Sequence, residues 1–160
     1  MIKAVILAAG EGKRLRPYTN DRPKCMVNIN GKSLIDRQIQ VLKDKLIKEI
    51  VIIGGYKIEK LEGKGNRIKK NSRYFETNMV WTLFSCEEEL EGDIIISYGD
   101  IVYSQNVLET LLTSKSDIAV VIDKNWESYW RARSSNPLSD AETLKLSKNG
   151  NILEIGRRPK

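Results

Sequence analysis

Three short, mostly apolar runs each end in a glycine-bearing loop, and this pattern constrains the fold more than any other feature of the sequence. Ile2–Ala9 runs into Gly10, Glu49–Ile53 into Gly54-Gly55, and Asp93–Ser97 into Tyr98-Gly99-Asp100. Short apolar runs bounded by turn residues read as buried strands. Between and after them lie helical patterns. Ser33–Leu46 places Leu34, Ile35, Ile39, Leu42 and Leu46 at helical spacing. Asn78 is positioned to cap a helix from Met79 to about Leu90. A helix is expected from about Gln105 to Thr113, a fourth strand over Asp117–Ile122, and a short helix over Trp126–Arg133. Tyr56–Arg73 is polar and basic and reads only as short, irregular elements. Thr143–Ser147 and Asn151–Ile155 flank Asn149-Gly150, a dipeptide suited to a tight hairpin turn.

Strands alternating with helices predict an α/β fold: a three-layer, Rossmann-like domain with a mainly parallel sheet and a late β-hairpin. At 160 residues the chain is long enough for one domain with a sizeable core. In such sheets ligands bind at the carboxyl ends of the strands. The loops at Gly10, Gly54 and Gly99 are therefore expected to meet on one edge.

No histidine occurs in the chain. That removes Ser-His-Asp and Cys-His hydrolases, histidine proton shuttles and most zinc chemistry. Catalysis would have to use carboxylates, lysines, arginines, backbone amides and a hard metal ion. Cys25 and Cys86 lack metal-ligand spacing and read as reduced, structural residues. The net charge of +6 admits nucleic acid, membrane surfaces or small anions as partners. A nucleic-acid binder would gather its basic residues on one face. Here they are dispersed, apart from Lys13, Arg14, Arg16, Arg22 and Lys24, which sit in a glycine-containing loop suited to a polyphosphate. The longest apolar run, Ala4–Ala9, is too short to span a membrane, and the start shows no signal-peptide layout. The expectation is a cytoplasmic protein without nucleic-acid or membrane partners; a homo-oligomer is left open.

The loop Gly10-Glu11-Gly12-Lys13-Arg14 can bring backbone amides close to phosphate oxygens, with Arg14 and Lys24 adding fixed positive charge. It is not a P-loop, which needs four residues between its glycines followed by Lys-Ser/Thr. It is not the dinucleotide fingerprint either, because Leu15 stands where a third glycine or alanine is required.

AVILAAGEGKRLRPYTNDRPKCMV (Ala4–Val27) resembles the signature of the sugar-nucleotidyltransferase-like superfamily. The resemblance continues through VIIGGY (Val51–Tyr56), TNMVWTLF (Thr77–Phe84), ISYGDIVY (Ile96–Tyr103) and NPLSDAETLKL (Asn136–Leu146). The later motifs look closest to the cytidylyltransferase branch, with its phosphocholine, phosphonoalkane and phosphoglutamine cytidylyltransferases. The resemblance implies a nucleotide-diphospho-sugar-transferase-like fold. It further implies that Gly10, Gly12 and Arg14 hold a triphosphate, that Lys24 contacts phosphates during transfer, and that Ala8, Ala9 and Asn78 lie near base and ribose. Arg14, Lys24 and Asp100 become the candidate catalytic residues.

Asp100 would end a strand beside the phosphate loop. Mg²⁺ favours one or two carboxylates plus water and phosphate oxygens. The resemblance makes Asp100 a Mg²⁺ ligand and implies a second carboxylate, with the acceptor side of the domain, beyond Lys160. The domain 1–160 is thus expected to be truncated at its C-terminal end. The expected reaction moves CMP from CTP, or a nucleotide from another NTP, to a small phosphorylated or phosphonate acceptor with release of pyrophosphate. Trp126 and Trp130 are candidates for holding the acceptor through cation–π attraction, with Asp140 and Glu142 for an amino group; the tryptophans could equally pack beneath the hairpin. The alternatives are a sugar-1-phosphate nucleotidyltransferase using UTP, dTTP or GTP, a non-catalytic nucleotide-binding module, and a basic nucleic-acid binder.

Overall fold

The computed structural model describes residues 2–158, with the side chain of Asp140 outside that set. The chain divides into two compact units, Met1–Ala119 and Val120–Lys160. In the first unit the elements are β1 (Lys3–Ala8), β2 (Asn28–Ile29), β3 (Lys32–Ser33), α1 (Leu34–Asp44), β4 (Glu49–Gly54), β5 (Arg67–Lys70), α2 (Met79–Phe84), β6 (Ile94–Tyr98) and α3 (Gln105–Leu112). The second contains α4 (Trp126–Arg133), β7 (Leu144–Leu146) and β8 (Ile152–Ile155). No described helix is long and apolar enough to cross a membrane.

The first unit is built on a four-stranded sheet ordered β5-β4-β1-β6, parallel throughout. Alternation along β1 assigns its side chains to two layers. Ala4, Ile6 and Ala8 face a core that also holds Ile35, Ile39 and Leu42 of α1 and Leu108 of α3. Val5 and Leu7 face the other side, against Ile53, Leu83 of α2, Cys86 and Leu90. Helices on both faces make the three layers expected. The second unit supplies the antiparallel hairpin β7–β8 around Asn149-Gly150.

One expected strand is absent. Asp117–Ile122 has no ladder partner among the described residues, and Ile118 is 86% exposed. A strand is not a local structure. Without a neighbour its backbone groups gain nothing over water, however β-branched the run. The fourth strand is β5 instead, from the stretch read as irregular, and Val51–Gly54 pair with Arg67–Lys70.

Two helix ends also differ from expectation. α1 stops at Asp44, and Leu46 is 78% exposed at φ 60°. The Leu46 amide donates to Lys43 O (2.9 Å) and the Ile47 amide to Leu42 O (3.1 Å), a Schellman ending that buries Ile47 in place of Leu46. α2 ends at Phe84 rather than near Leu90. Three consecutive glutamates, Glu87–Glu89, oppose the negative end of the helix dipole, and Glu89 turns inward to Lys3 (3.1 Å) and Arg67 (3.0 Å).

Candidate functional site

Because β1, β4 and β6 run parallel, their carboxyl ends and the loops after them share one edge. The register sets Ala8 opposite Gly54 and Leu7 opposite Tyr98. Backbone bonds extend the alignment past the strands: the Tyr56 amide donates to Ala9 O (3.0 Å) and the Gly99 amide to Leu7 O (2.8 Å). Gly10 and Asp100 therefore lie on the same edge, as the strand order requires.

The loop after β1 folds back on itself. Gly12 adopts φ 68°, and a Cβ there would meet Lys24 Cβ at 2.9 Å and Thr19 Cγ2 at 3.2 Å. Only glycine fits both the conformation and the space. Buried Thr19 donates its hydroxyl to Gly12 O at 3.0 Å and fixes the turn from beneath. A short 3₁₀ turn, Lys13–Leu15, then presents Arg14, which is exposed and makes no ion pair among the described residues. Its neighbours are committed: Lys13 and Arg16 both pair with Glu11, at 3.6 and 3.3 Å. Gly10 has open space around its Cα, so a ligand can approach the backbone there.

Pro23 opens a second 3₁₀ turn, Lys24–Met26, which seats Cys25 in the core between Ala8 and Gly99. Burial pushes the Cys25 thiol up to about 12, so it is a packing residue and no nucleophile. A Cβ on Gly99 would lie 3.0 Å from Ala8 Cβ and 3.2 Å from Cys25 Cβ. This close approach brings Lys24 and Asp100 together, 76 positions apart, as an ion pair that is one-third exposed on both sides.

Two supporting residues were not singled out from the sequence. Thr19 is one. The other is Gln38 of α1, 1% exposed, whose amide donates to Tyr98 O (2.9 Å) and Ile101 O (2.7 Å) while its carbonyl accepts from the Ser97 hydroxyl (2.8 Å). Its signal was present: Gln38 is a polar residue inside the apolar stripe of Leu34, Ile35 and Leu42.

Asn78 caps α2, its side-chain oxygen accepting from the Trp81 amide at 3.0 Å. It also lines an open depression of about 590 Å³ with Phe75, Glu76, Thr77 and Trp81. Arg73 lies 5.0 Å over the Trp81 ring.

The remaining acceptor candidates belong to the second unit. Trp126 is half-buried in the first turn of α4. Trp130 has Arg133 4.7 Å over its ring, and Arg131 pairs with Glu127 at 2.6 Å, so the arginines of this helix are engaged within it. Glu142 is exposed, its carboxylate approaching the position a side chain on Gly156 would take. The side chain of Asp140 lies outside the described residues.

Asp100 offers a carboxylate at a strand end, open to solvent on one side and faced by a cation on the other. That fits a Mg²⁺ ion completed by water and phosphate oxygens. No cluster of three or more acidic or cysteine side chains able to enclose a metal occurs among the described residues.

Residues 3–125 match the nucleotidyl transferase family model. The chain is 45% identical over 168 residues to CTP:phosphoglutamine cytidylyltransferase of Campylobacter jejuni, covering 98% of this chain and 66% of that protein. It is 38% identical over 123 residues to choline-phosphate cytidylyltransferase of Streptococcus pneumoniae, covering 74% of this chain and 53% of that protein. It thus spans between half and two-thirds of these relatives. The solved inositol-1-phosphate CTP transferase of T. maritima superposes with a TM-score of 0.73 over 98% of this chain and 64% of its own, at 21% identity, a likeness of fold. The family model spans residues 3–125, well over half of the sequence, and the chain belongs to the nucleotidyl transferase family.

Proposed function

We propose that this chain carries the nucleotide-binding part of a cytidylyltransferase, which moves CMP from CTP to a small phosphorylated or phosphonate acceptor of the phosphoglutamine or phosphocholine type. The observation that carries the reading is the meeting of Lys24 and Asp100 at the sheet edge beside the Gly12 turn. The relatives named above supply the base and the acceptor class.

In this reading the backbone at Gly10 and Gly12 and the guanidinium of Arg14 hold the triphosphate, while Ala8, Ala9 and Asn78 border base and ribose. An oxygen of the acceptor phosphate attacks the α-phosphorus of CTP in line. The new P–O bond forms as the bond to the β-phosphate oxygen breaks, and its electron pair leaves with pyrophosphate. The acceptor is already ionised near neutral pH, so no general base is required and the lack of histidine is no obstacle. Lys24 turns from Asp100 towards phosphate oxygens and offsets charge that grows as the bond breaks. Mg²⁺ held by Asp100 would supply further charge neutralisation on the phosphates. Trp126, Trp130, Asp140 and Glu142 remain candidates for acceptor contacts.

The test is a matrix of CTP, UTP, dTTP and GTP against phosphoglutamine, phosphocholine, aminoethylphosphonate and hexose-1-phosphates, read by mass spectrometry. The expected result is retained CTP binding with at most slow formation of a CDP-linked product, from CTP alone. A sugar nucleotide from UTP, dTTP or GTP would replace the reading with a sugar-1-phosphate nucleotidyltransferase. CTP binding without any product would leave a nucleotide-binding module.

A further inference from the structure

The catalytic edge depends on the exact placement of Asp100, yet Asp100 sits in a loop. β6 ends at Tyr98, and α3 does not begin until Gln105. Loop carboxylates are mobile unless something holds their backbone. Here the restraint comes from another element. The side-chain amide of Gln38 donates to Tyr98 O and Ile101 O, the carbonyls on either side of the Gly99-Asp100 pair. The Gln38 carbonyl is engaged by Ser97. Both donors and the acceptor oxygen of this buried side chain are therefore engaged on the segment carrying Asp100. The same helix steadies the other half of the ion pair: the amide of Leu34, its first residue, donates to Val27 O (3.2 Å), at the end of the turn that carries Lys24.

A core position on α1 would ordinarily be filled by an apolar side chain. Packing alone gives no reason for an amide there. The reason lies in two carbonyls at the loop: Ile101 O has no other donor among the described residues, and Tyr98 O otherwise receives only the long contacts of the Ile101 amide (3.5 Å) and the Ser97 hydroxyl (3.4 Å).

We propose that Gln38 is a positioning residue: it clamps the backbone around Asp100 and thereby sets how well that carboxylate, and any divalent cation it holds, meets the phosphates of the bound nucleotide. The proposal rests on the function proposed above, in which Asp100 is a metal ligand. Gln38 touches neither substrate nor metal. Its loss should weaken the contribution of the metal without weakening metal-free nucleotide binding, which rests on the Gly12 turn and Arg14.

The experiment measures CTP binding to the 160-residue chain by calorimetry, once with Mn²⁺ and once with EDTA. The ratio of the two dissociation constants is the gain due to metal. Gln38→Met keeps the side chain's length and removes both donors. Gln38→Asn keeps the donors but withdraws them by one bond. Ser97→Ala removes the third hydrogen bond and leaves the clamp. Asp100→Asn is the reference for a lost ligand. We expect the metal gain to shrink at least fivefold in Gln38→Met and by less in Gln38→Asn, to stay within twofold of the parent in Ser97→Ala, and to vanish in Asp100→Asn. The dissociation constant in EDTA should stay within twofold for the Gln38 and Ser97 variants.

If Asp100→Asn abolishes the gain while Gln38→Met leaves it unchanged, the proposal fails and the proposed function stands. If the gain tracks thermal stability, falling in Ser97→Ala as in Gln38→Met, Gln38 is merely structural. If the parent shows no gain, or Asp100→Asn retains it, the metal role of Asp100 fails and the proposal with it. Should Gln38→Met not fold, Gln38→Asn decides alone: a gain equal to the parent's overturns the proposal.

Discussion

Strands β1, β4 and β6 of the first unit and the hairpin β7–β8 of the second are all rich in aliphatic residues but use them differently. In the first, β1, β4 and β6 lie side by side, and Ile6, Ile50, Ile52 and Ile53 are fully buried. In the second, the hairpin exposes residues of both its strands, from Leu144 to Ile155, and Pro137 is the one buried residue among those described. Apolar side chains stabilise only the structure that removes them from water. A parallel sheet with helices on both faces does so on two sides; a lone two-stranded hairpin cannot. The candidate phosphate and metal residues stand on the well-buried unit, where loops are held by strand register and by buried side chains such as Thr19 and Gln38.

The contrast is tested most directly by truncating one isoleucine in each unit. Ile52→Ala, at a fully buried position of β4, should cost about 2–5 kcal/mol of stability. Ile152→Ala, at an exposed position of β8, should cost about 0.5 kcal/mol or less. Urea titrations of both variants check this, and equal costs would show that the hairpin is as well built as the sheet.

Next comes the charge that ties the inner strand β1 to the edge strand β5. The hydrogen bond from Arg67, helped by Lys3, holds the Glu89 carboxyl at about 2 against an ordinary 4.5. The folded state therefore favours the ionised form. The stabilisation is complete above the ordinary carboxylate range and is lost as pH falls from about 4.5 towards 2. Unfolding midpoints across this range should drop steeply in the parent and be flatter in Glu89→Gln; parallel curves would show that Glu89 contributes no such term.

Of similar or smaller size are the phosphate contacts. Lys24→Ala and Arg14→Ala should each weaken CTP by roughly 1.5–3 kcal/mol, with Lys24 acting more on rate and Arg14 more on binding. Trp126→Ala, in the second unit, should leave CTP affinity nearly unchanged. Calorimetric titration of all three sharpens the division. Unchanged affinity and kinetics in both cationic variants would refute the loop assignment, and a loss in Trp126→Ala equal to theirs would make the second unit part of nucleotide binding.

The smallest effect lies within the well-built unit. Leu46 ends α1 at φ 60°, a conformation unfavourable for a side chain with a Cβ. Leu46→Gly should raise stability by about 0.5–1 kcal/mol. A loss on thermal denaturation would mean that the exposed leucine makes a contact worth more than the backbone strain it bears.

Local chemistry determined much of this protein from sequence alone. The apolar run of β1, the apolar stripe of α1, the Asn149-Gly150 turn and the cap at Asn78 are short-range patterns whose physics is complete within a few residues. The candidate phosphate loop was legible through two glycines, an arginine and the family resemblance of the run that carries them. What depended on partners distant in sequence was not legible. Arg67–Lys70 became a strand because β4 offered it an open edge, whereas the more β-prone Asp117–Ile122 found no neighbour and stayed exposed. α1 ended two residues early because Ile47, not Leu46, reached the core. Lys24 and Asp100 were each visible as single charges, but their meeting across 76 positions needed parallel strands in register and a glycine at position 99. Gln38, a polar residue within an apolar stripe and not singled out from the sequence, found its partners in the Tyr98 and Ile101 carbonyls only in the folded chain. Hydrogen-bond demand in a loop is set by the fold around it, and a linear sequence does not contain that neighbourhood.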